Sequence, residues 1–210
     1  MTATLQLLTA QDVFASPAYA DAASAGPGGG GAGMTAEKRA FVEFCCKAVS
    51  EEAEAVTGRW FKLNTYTETL DVKPMSRLLK LRGYPLDLTV AFDVREEATG
   101  NWGATTPIPT SELAAIAGGE NGQIELRSTQ FCGGPQTVRV VYKGGLAADS
   151  DTVPDRLKLA CVEQVIYIVK RAPNLHLEST SEEGGSSTYY RSSPLLDSVK
   201  RVFLSYRKVV

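Results

Sequence analysis

The chain has 210 residues, of which 43% are apolar and 22% charged, and a formal net charge of −2. That composition is ordinary for a globular protein and too neutral for one that coats nucleic acid. No uninterrupted apolar run reaches about eighteen residues, so neither a membrane-crossing helix nor a membrane partner is expected.

Residues 1–33 are rich in Ala and Gly and contain the run Gly28 to Gly31. Such a stretch buries too little apolar surface to offset its ordering entropy, which predicts a flexible arm. Leu5, Leu7, Leu8, Val13 and Phe14 could instead form a short element that orders against a partner. The first basic residue is Lys38, so the positive start of a signal peptide is missing.

From Thr35, a plausible N-cap, Phe41, Cys45, Ala48, Val49, Ala53 and Val56 recur at spacings of three and four and predict a helix over 36–57. Gly58 sits where a helix end favours positive φ. Glu51, Glu52 and Glu54 give the later half of this helix a negative face. The period then changes to two. Strands are predicted at Tyr66–Leu70, Leu78–Leu81, Thr89–Val94, Ile124–Arg127 and Val138–Tyr142. Thr99, Gly100 and Asn101 mark a turn. Gly133, Gly134 and Pro135 suggest that the last two strands form a hairpin.

Pro154 suits a first helical position, and Asp155 complements the helix dipole behind it. Leu157, Ala160, Cys161, Gln164, Val165 and Ile168 form one stripe, widened by Leu159, Val162, Ile166 and Val169. This predicts a central helix buried on several sides. Residues 174–190 are polar and read as a long loop. A last helix follows Pro194, with Leu195, Val199, Val202, Phe203 and Tyr206 at spacings of three and four. It carries Lys200, Arg201, Arg207 and Lys208. The fold class is therefore α+β: a helical core of three to four helices over 35–58 and 153–208, with a β-rich insertion at about 60–148 and the N-terminal arm over 1–33.

Reactive chemistry is sparse. Phosphate-loop, dinucleotide and nucleophile-elbow motifs are absent, and no cofactor is expected. The four cysteines, Cys45, Cys46, Cys132 and Cys161, form no CxxC pair, and His176 is the single histidine. Buried free thiols fit this pattern better than zinc or a disulfide framework. A Cys-dependent enzyme would have to use Cys132 beside Gly133 and Gly134, with His176 as base. Cys132 lies in a turn rather than at a helix N-terminus, which argues against it. Asp149 and Asp151 resemble the start of a calcium loop that lacks its glycine and closing glutamate.

Several residues in fixed order resemble the phage head–tail connector (adaptor) family, which includes the equivalent proteins of gene transfer agents. Glu54, Thr57, Gly58, Arg59 and Phe61 resemble its E-x-x-T-G-R-x-F helix end. Leu79 to Leu81 followed by Tyr84, Pro85 and Leu86 resemble its strand and Tyr-Pro-Ile/Leu turn. Val138, Val140, Tyr142 and Gly145 resemble its V-x-V-x-Y-x-x-G strand. Val153, Pro154, Leu157 and Lys158 resemble its V-P-x-x-L-K helix start, and Leu204, Tyr206 and Arg207 resemble its L-x-x-Y-R helix end with one residue fewer between the Leu and the Tyr. The long arm and the large β region depart from the pattern.

The resemblance implies a structural virion protein rather than an enzyme. It implies a ring of twelve copies at the neck, assembled in the host cytoplasm. Such a ring would bind the portal, extend the viral DNA channel and dock a stopper or tail-completion protein. Another neck or tail-completion protein is the alternative. By resemblance the C-terminal region engages the portal. On this reading Glu51, Glu52, Glu54, Arg191, Lys200, Arg201, Tyr206, Arg207 and Lys208 are the candidate interface residues.

Overall fold

The computed structural model describes residues 5–19, 36–97, 102, 105–172, 179–181, 187–189 and 195–207. Two units are distinguished within it. One comprises Thr57–Thr152 with Leu5 and Arg207, and the other residues 6–56 and 153–206. Alternating apolar side chains, which put every second residue on one face, build the first; apolar residues at spacings of three and four build the second.

In the β unit, β1 (Asn64–Val72), β2 (Leu78–Lys80), β3 (Asp93–Glu96), β4 (Leu113–Ala115), β5 (Gln123–Leu126) and β6 (Gly134–Gly144) form two three-stranded antiparallel sheets. Their orders are β1-β6-β3 and β2-β5-β4. The register is set by pairs such as Tyr66 with Tyr142, Val94 with Val140, and Leu79 with Ile124. Tyr66, Val72, Leu79, Val94, Leu113, Ile124, Leu126, Val138, Val140 and Tyr142 share one core, to which both sheets contribute. Burying each large apolar side chain contributes about 1.5–3 kcal/mol, so this shared core dominates the unit's stability.

The expected hairpin between the last two strands does not form, because β5 pairs with β2 and β4 while β6 pairs with β1 and β3. Phe131, fully buried, explains the difference. Its N–H donates to the Ser76 carbonyl (2.9 Å) and its carbonyl accepts from Met75 N–H (3.0 Å). That anchor ties the connection to the turn after β1 and carries the chain from one sheet to the other. Thr89 is likewise turn, not strand: Asp87 Oδ1 accepts from its N–H (3.1 Å) and hydroxyl (2.5 Å). The strand begins only at Asp93. The Thr99–Asn101 turn lies outside the described residues.

The two ends of the β unit are tied to each other. Phe61 C=O accepts from Leu146 N–H (2.7 Å) and Ala147 N–H (3.0 Å), and Ala147 C=O accepts from Leu63 N–H (2.6 Å). The 82–87 segment joins them: Trp60 N–H donates to Arg82 C=O (3.0 Å), and Gly145 N–H to Pro85 C=O (3.0 Å). Backbones this close leave no room for Cβ. One added at Gly145 (φ +136) would lie 2.1 Å from Lys62 O, and one at Gly144 2.2 Å from Gly83 O. A buried polar group fixes the same segment. Tyr142 Oη donates to Glu68 and accepts from Gly83 N–H (2.8 Å), and Arg82 N–H donates to Glu68 Oε1 (2.8 Å).

In the helical unit, α1 (Ala10–Phe14) is held by a capping box between Thr9 and Asp12. The other helices are α2 (Ala36–Thr57), α3 (Asp155–Arg171) and α4 (Asp197–Ser205). The α2 bounds match the expected helix, and Gly58 after it has φ +67. Of the expected stripe Cys45, Val49 and Ala53 are buried and Ala48 and Val56 half-buried, but at its start Val42 is buried in place of Phe41, which is 39% exposed. Thr35 lies outside the described residues.

Pro154 is the residue before α3 rather than its first, with ψ at 131°. Leu157, Ala160, Cys161, Val162, Gln164, Val165 and Ile166 are buried as the stripe requires. Leu159 is not, at 69% exposure. Buried Gln164 accepts from Leu196 N–H (3.0 Å) ahead of α4, where Val199 and Phe203 are fully buried.

The expected arm over 1–33 does not hold for residues 5–19. Leu7, Leu8 and Val13 are fully buried, Leu7 N–H donates to Ser50 Oγ (3.0 Å), and Asp12 pairs with Lys158 of α3 (2.8 Å). The short apolar element therefore orders against its own chain. In place of an uninterrupted 174–190 loop, Ser179–Ser181 (β7) and Ser187–Tyr189 (β8) pair as antiparallel strands. Pro194 lies outside the described residues.

Gly145→Ala should cost about 2–4 kcal/mol by chemical denaturation, because backbone must move. Gly58→Ala, whose Cβ meets open space, should cost only about 1–2 kcal/mol. Equal costs at both sites would contradict the tied junction.

Burial alone would raise the Asp12 carboxyl, but hydrogen bonds from Lys158 and Thr9 outweigh it and hold it below its usual range. A carboxyl lowered on folding stabilises above its unfolded pKa, about 3.9, and that contribution is lost as pH falls through the folded value. Lys158→Met should therefore raise the Asp12 midpoint in an NMR titration and make the acid-side loss of stability shallower. An unchanged midpoint would contradict the pair.

Candidate functional site

Glu51 and Glu52 of α2 are exposed and Glu54 is half-buried. Glu51 pairs within its own helix with Lys47 at 4.0 Å, both side chains being largely in solvent. Lys200 and Arg201 lie on the exposed side of α4, opposite buried Val199 and Phe203. Arg207 is exposed just past the helix, and Tyr206 caps its end half-buried. Arg191 and Lys208 lie outside the described residues. The candidate charges thus occupy two separate helices, each with its apolar side turned inward. Exposed ion pairs contribute about 0–1 kcal/mol each, so these charges can orient a partner more readily than hold one.

The helical unit carries a second surface that the charge pattern did not signal. A groove of about 410 Å³ is lined by Leu159, Val162, Ile166 and Tyr167 of α3 with Leu196. Phe44 on α2 is 68% exposed. Helical spacing predicted inward positions correctly for most residues. It could not tell that Leu159, one member of a wide apolar stripe, faces solvent.

Three of the four thiols, Cys45, Cys46 and Cys161, are buried. Burial pushes Cys46 and Cys161 up to about 12, with Cys45 adding to the shift at Cys46 and Cys46 to that at Cys161. Burial also raises Cys45. A thiolate is the reactive form, so burial disfavours reaction at all three, most strongly at Cys46 and Cys161. Cys132 is exposed, contrary to the expectation of buried thiols, but the neighbouring Gly133 N–H, which an oxyanion would need, donates to Glu96 Oε1 (3.1 Å). His176 lies outside the described residues. No group of three or more His, Cys, Asp or Glu side chains suited to a metal ion occurs among the described residues, and no helix among them is long and apolar enough to cross a membrane.

Arg59, from the matched helix end, is a buried structural residue. Its guanidinium stacks 3.7 Å from the Tyr84 ring and donates to the Tyr84 carbonyl, where Tyr84–Pro85 is a cis peptide. Trp60 stacks on Tyr66 with ring centroids 4.5 Å apart. The matched residues Arg59, Phe61, Tyr84, Tyr142 and Gly145 therefore converge on the tied junction rather than on a chemical site.

No protein-family model and no curated protein matches the sequence. Solved structures do. A chain from the neck of an empty gene transfer agent particle, computed with C6 symmetry, matches all of this chain and 94% of its own length at TM-score 0.57 and 16% identity. A chain of the native gene transfer agent virion matches with the same coverage at TM-score 0.56 and 15% identity. A chain from the neck of the native particle, computed with C12 symmetry, matches 84% of this chain and 85% of its own at TM-score 0.52 and 14% identity. The protein thus carries a fold found in gene transfer agent particles and their necks, as its resemblance to head–tail connectors implied.

In the folded protein, Cys132 alone of the four thiols should react rapidly with a maleimide, and all four should react after denaturation. Rapid labelling of Cys46 or Cys161 in the native state, read by mass spectrometry, would contradict their burial.

Proposed function

We propose that this chain is a structural protein of the neck of a phage-like particle. Identical copies form a ring, twelve by the connector resemblance, between the portal and a stopper or tail-completion protein, and the ring extends the DNA channel. The observation that carries this reading is a likeness of fold along the whole chain to neck proteins of gene transfer agent particles. Near neutrality supports it, since a conduit must let DNA slide and strong phosphate clamps would slow passage. The buried setting of Cys46 and Cys161, and the engaged amide beside Cys132, favour a structural role over thiol catalysis.

In this role Glu51, Glu52 and Glu54 supply one charged face, and Lys200, Arg201 and Arg207, with Tyr206 beside them, supply another. The C-terminal set, extended by Arg191 and Lys208, faces the portal. Imaging of purified particles tests the reading: this chain should lie at the capsid–tail junction, and a particle lacking it there would refute the proposal.

The double reversal Arg201→Glu and Arg207→Glu should leave the fold intact, both residues being exposed. It should weaken portal capture by about tenfold, the scale of one to two kcal/mol of lost steering and pairing. Unchanged capture at low salt would remove these residues from the interface.

A further inference from the structure

Two exposed apolar features stand out among the described residues of the helical unit, and they are unlike each other. Phe44 projects from α2 with 68% of its surface in solvent, and Phe41, one turn before it, is 39% exposed. The other feature is the groove along α3, floored by Val162 and Ile166, flanked by Tyr167 and Leu196, with 69%-exposed Leu159 at one end. One is a knob and the other a hole. Large exposed apolar groups of this kind mark interaction surfaces when they cluster with a charged rim.

The rims match in sign. Phe44 is flanked along α2 by Glu43 and Lys47. The groove is flanked along α3 by Glu163 and Lys170. Placing Phe44 in the groove with the helices oppositely ordered sets Lys47 near Glu163 and Glu43 near Lys170. The axial spans, about 6 Å and about 10 Å, are bridged by these long side chains. Among the described residues Glu43 pairs with Arg39 (3.7 Å) and Lys47 loosely with Glu51 (4.0 Å), both in solvent. Such pairs are weak enough to exchange. Glu163 Oε1 accepts from Ser198 Oγ (2.9 Å), which fixes its position at the rim.

We infer that the α3 groove receives Phe44 of a second copy of this chain. The contact is head-to-tail. A contact between two unlike surfaces, repeated in the same sense from copy to copy, closes on itself when its rotation divides a full turn, as the proposed ring requires. This inference rests on the ring reading above and names the apolar contact that reading leaves open.

The test uses the full chain. A photo-crosslinking phenylalanine analogue replaces Phe44, and light and isotopically heavy copies are mixed before irradiation. Mass spectrometry should find mixed light–heavy adducts joining position 44 to residues 159–170. Leu159→Glu in the receiving copy should lower their yield by about tenfold, the loss of one buried anchor, while Leu159→Met keeps it. Circular dichroism and thermal melts confirm that each variant folds. Adducts within one chain, adducts to another surface, or no adduct would overturn the inference. Electron microscopy with portal separates the two claims. Intact rings from Phe44→Ser sink the knob-and-hole contact and leave the ring standing, whereas absence of rings from the unaltered chain sinks both.

Discussion

The Phe61 carbonyl, accepting from both Leu146 and Ala147, closes the β unit at its two sequence ends. Nearly everything else in that unit is arranged around this closure. Chain entering at Thr57 and leaving near Thr152 is brought together by backbone bonds that any side chain at Gly144 or Gly145 would displace. Closing a long segment costs entropy that grows only slowly with its length. Once its ends are tied, such a segment can hold two sheets, a long crossover at Phe131 and several short turns at little further expense in closure.

The residues at this junction also explain why a connector-like pattern can be read from so few positions. Gly58 lets the α2 end turn with positive φ. Arg59 lies on the Tyr84 ring, and Tyr142 joins Glu68 to the backbone of Gly83. Each is a backbone-shaping or backbone-satisfying role with few chemical substitutes. A buried carboxylate and hydroxyl are tolerable only with their partners in place. The helices face the opposite demand. Apart from Ser50 and Gln164, which accept from the backbone N–H groups of Leu7 and Leu196, their inner faces need apolar volume, and their outer faces are free to vary toward whatever neighbours the chain meets.

Periodicity made the frame legible. The α2 bounds, the inward residues of α3 and α4, and the alternation of β1 and β6 follow from residue spacing alone. Strand partners did not, because pairing is decided by long-range burial: fully buried Phe131 carries the chain past the apparent hairpin turn. β4, with three residues and no clear alternation, gave no signal. Leu5 to Val13 looked too small a cluster to fold, yet Ser50 and Lys158, distant in sequence, complete its packing and charge. The charged candidates were readable as faces. The apolar groove was not, since a wide stripe on α3 does not reveal which members lack a neighbour.

Native-state hydrogen exchange at the junction tests this account most directly. The amides of Leu63, Gly145, Leu146 and Ala147 should be among the slowest in the β unit, exchanging only when the unit opens as a whole. Rapid exchange of these amides while the β1–β6 ladder stays protected would show that the ends of the insertion are loosely held, and that the fold does not depend on their closure.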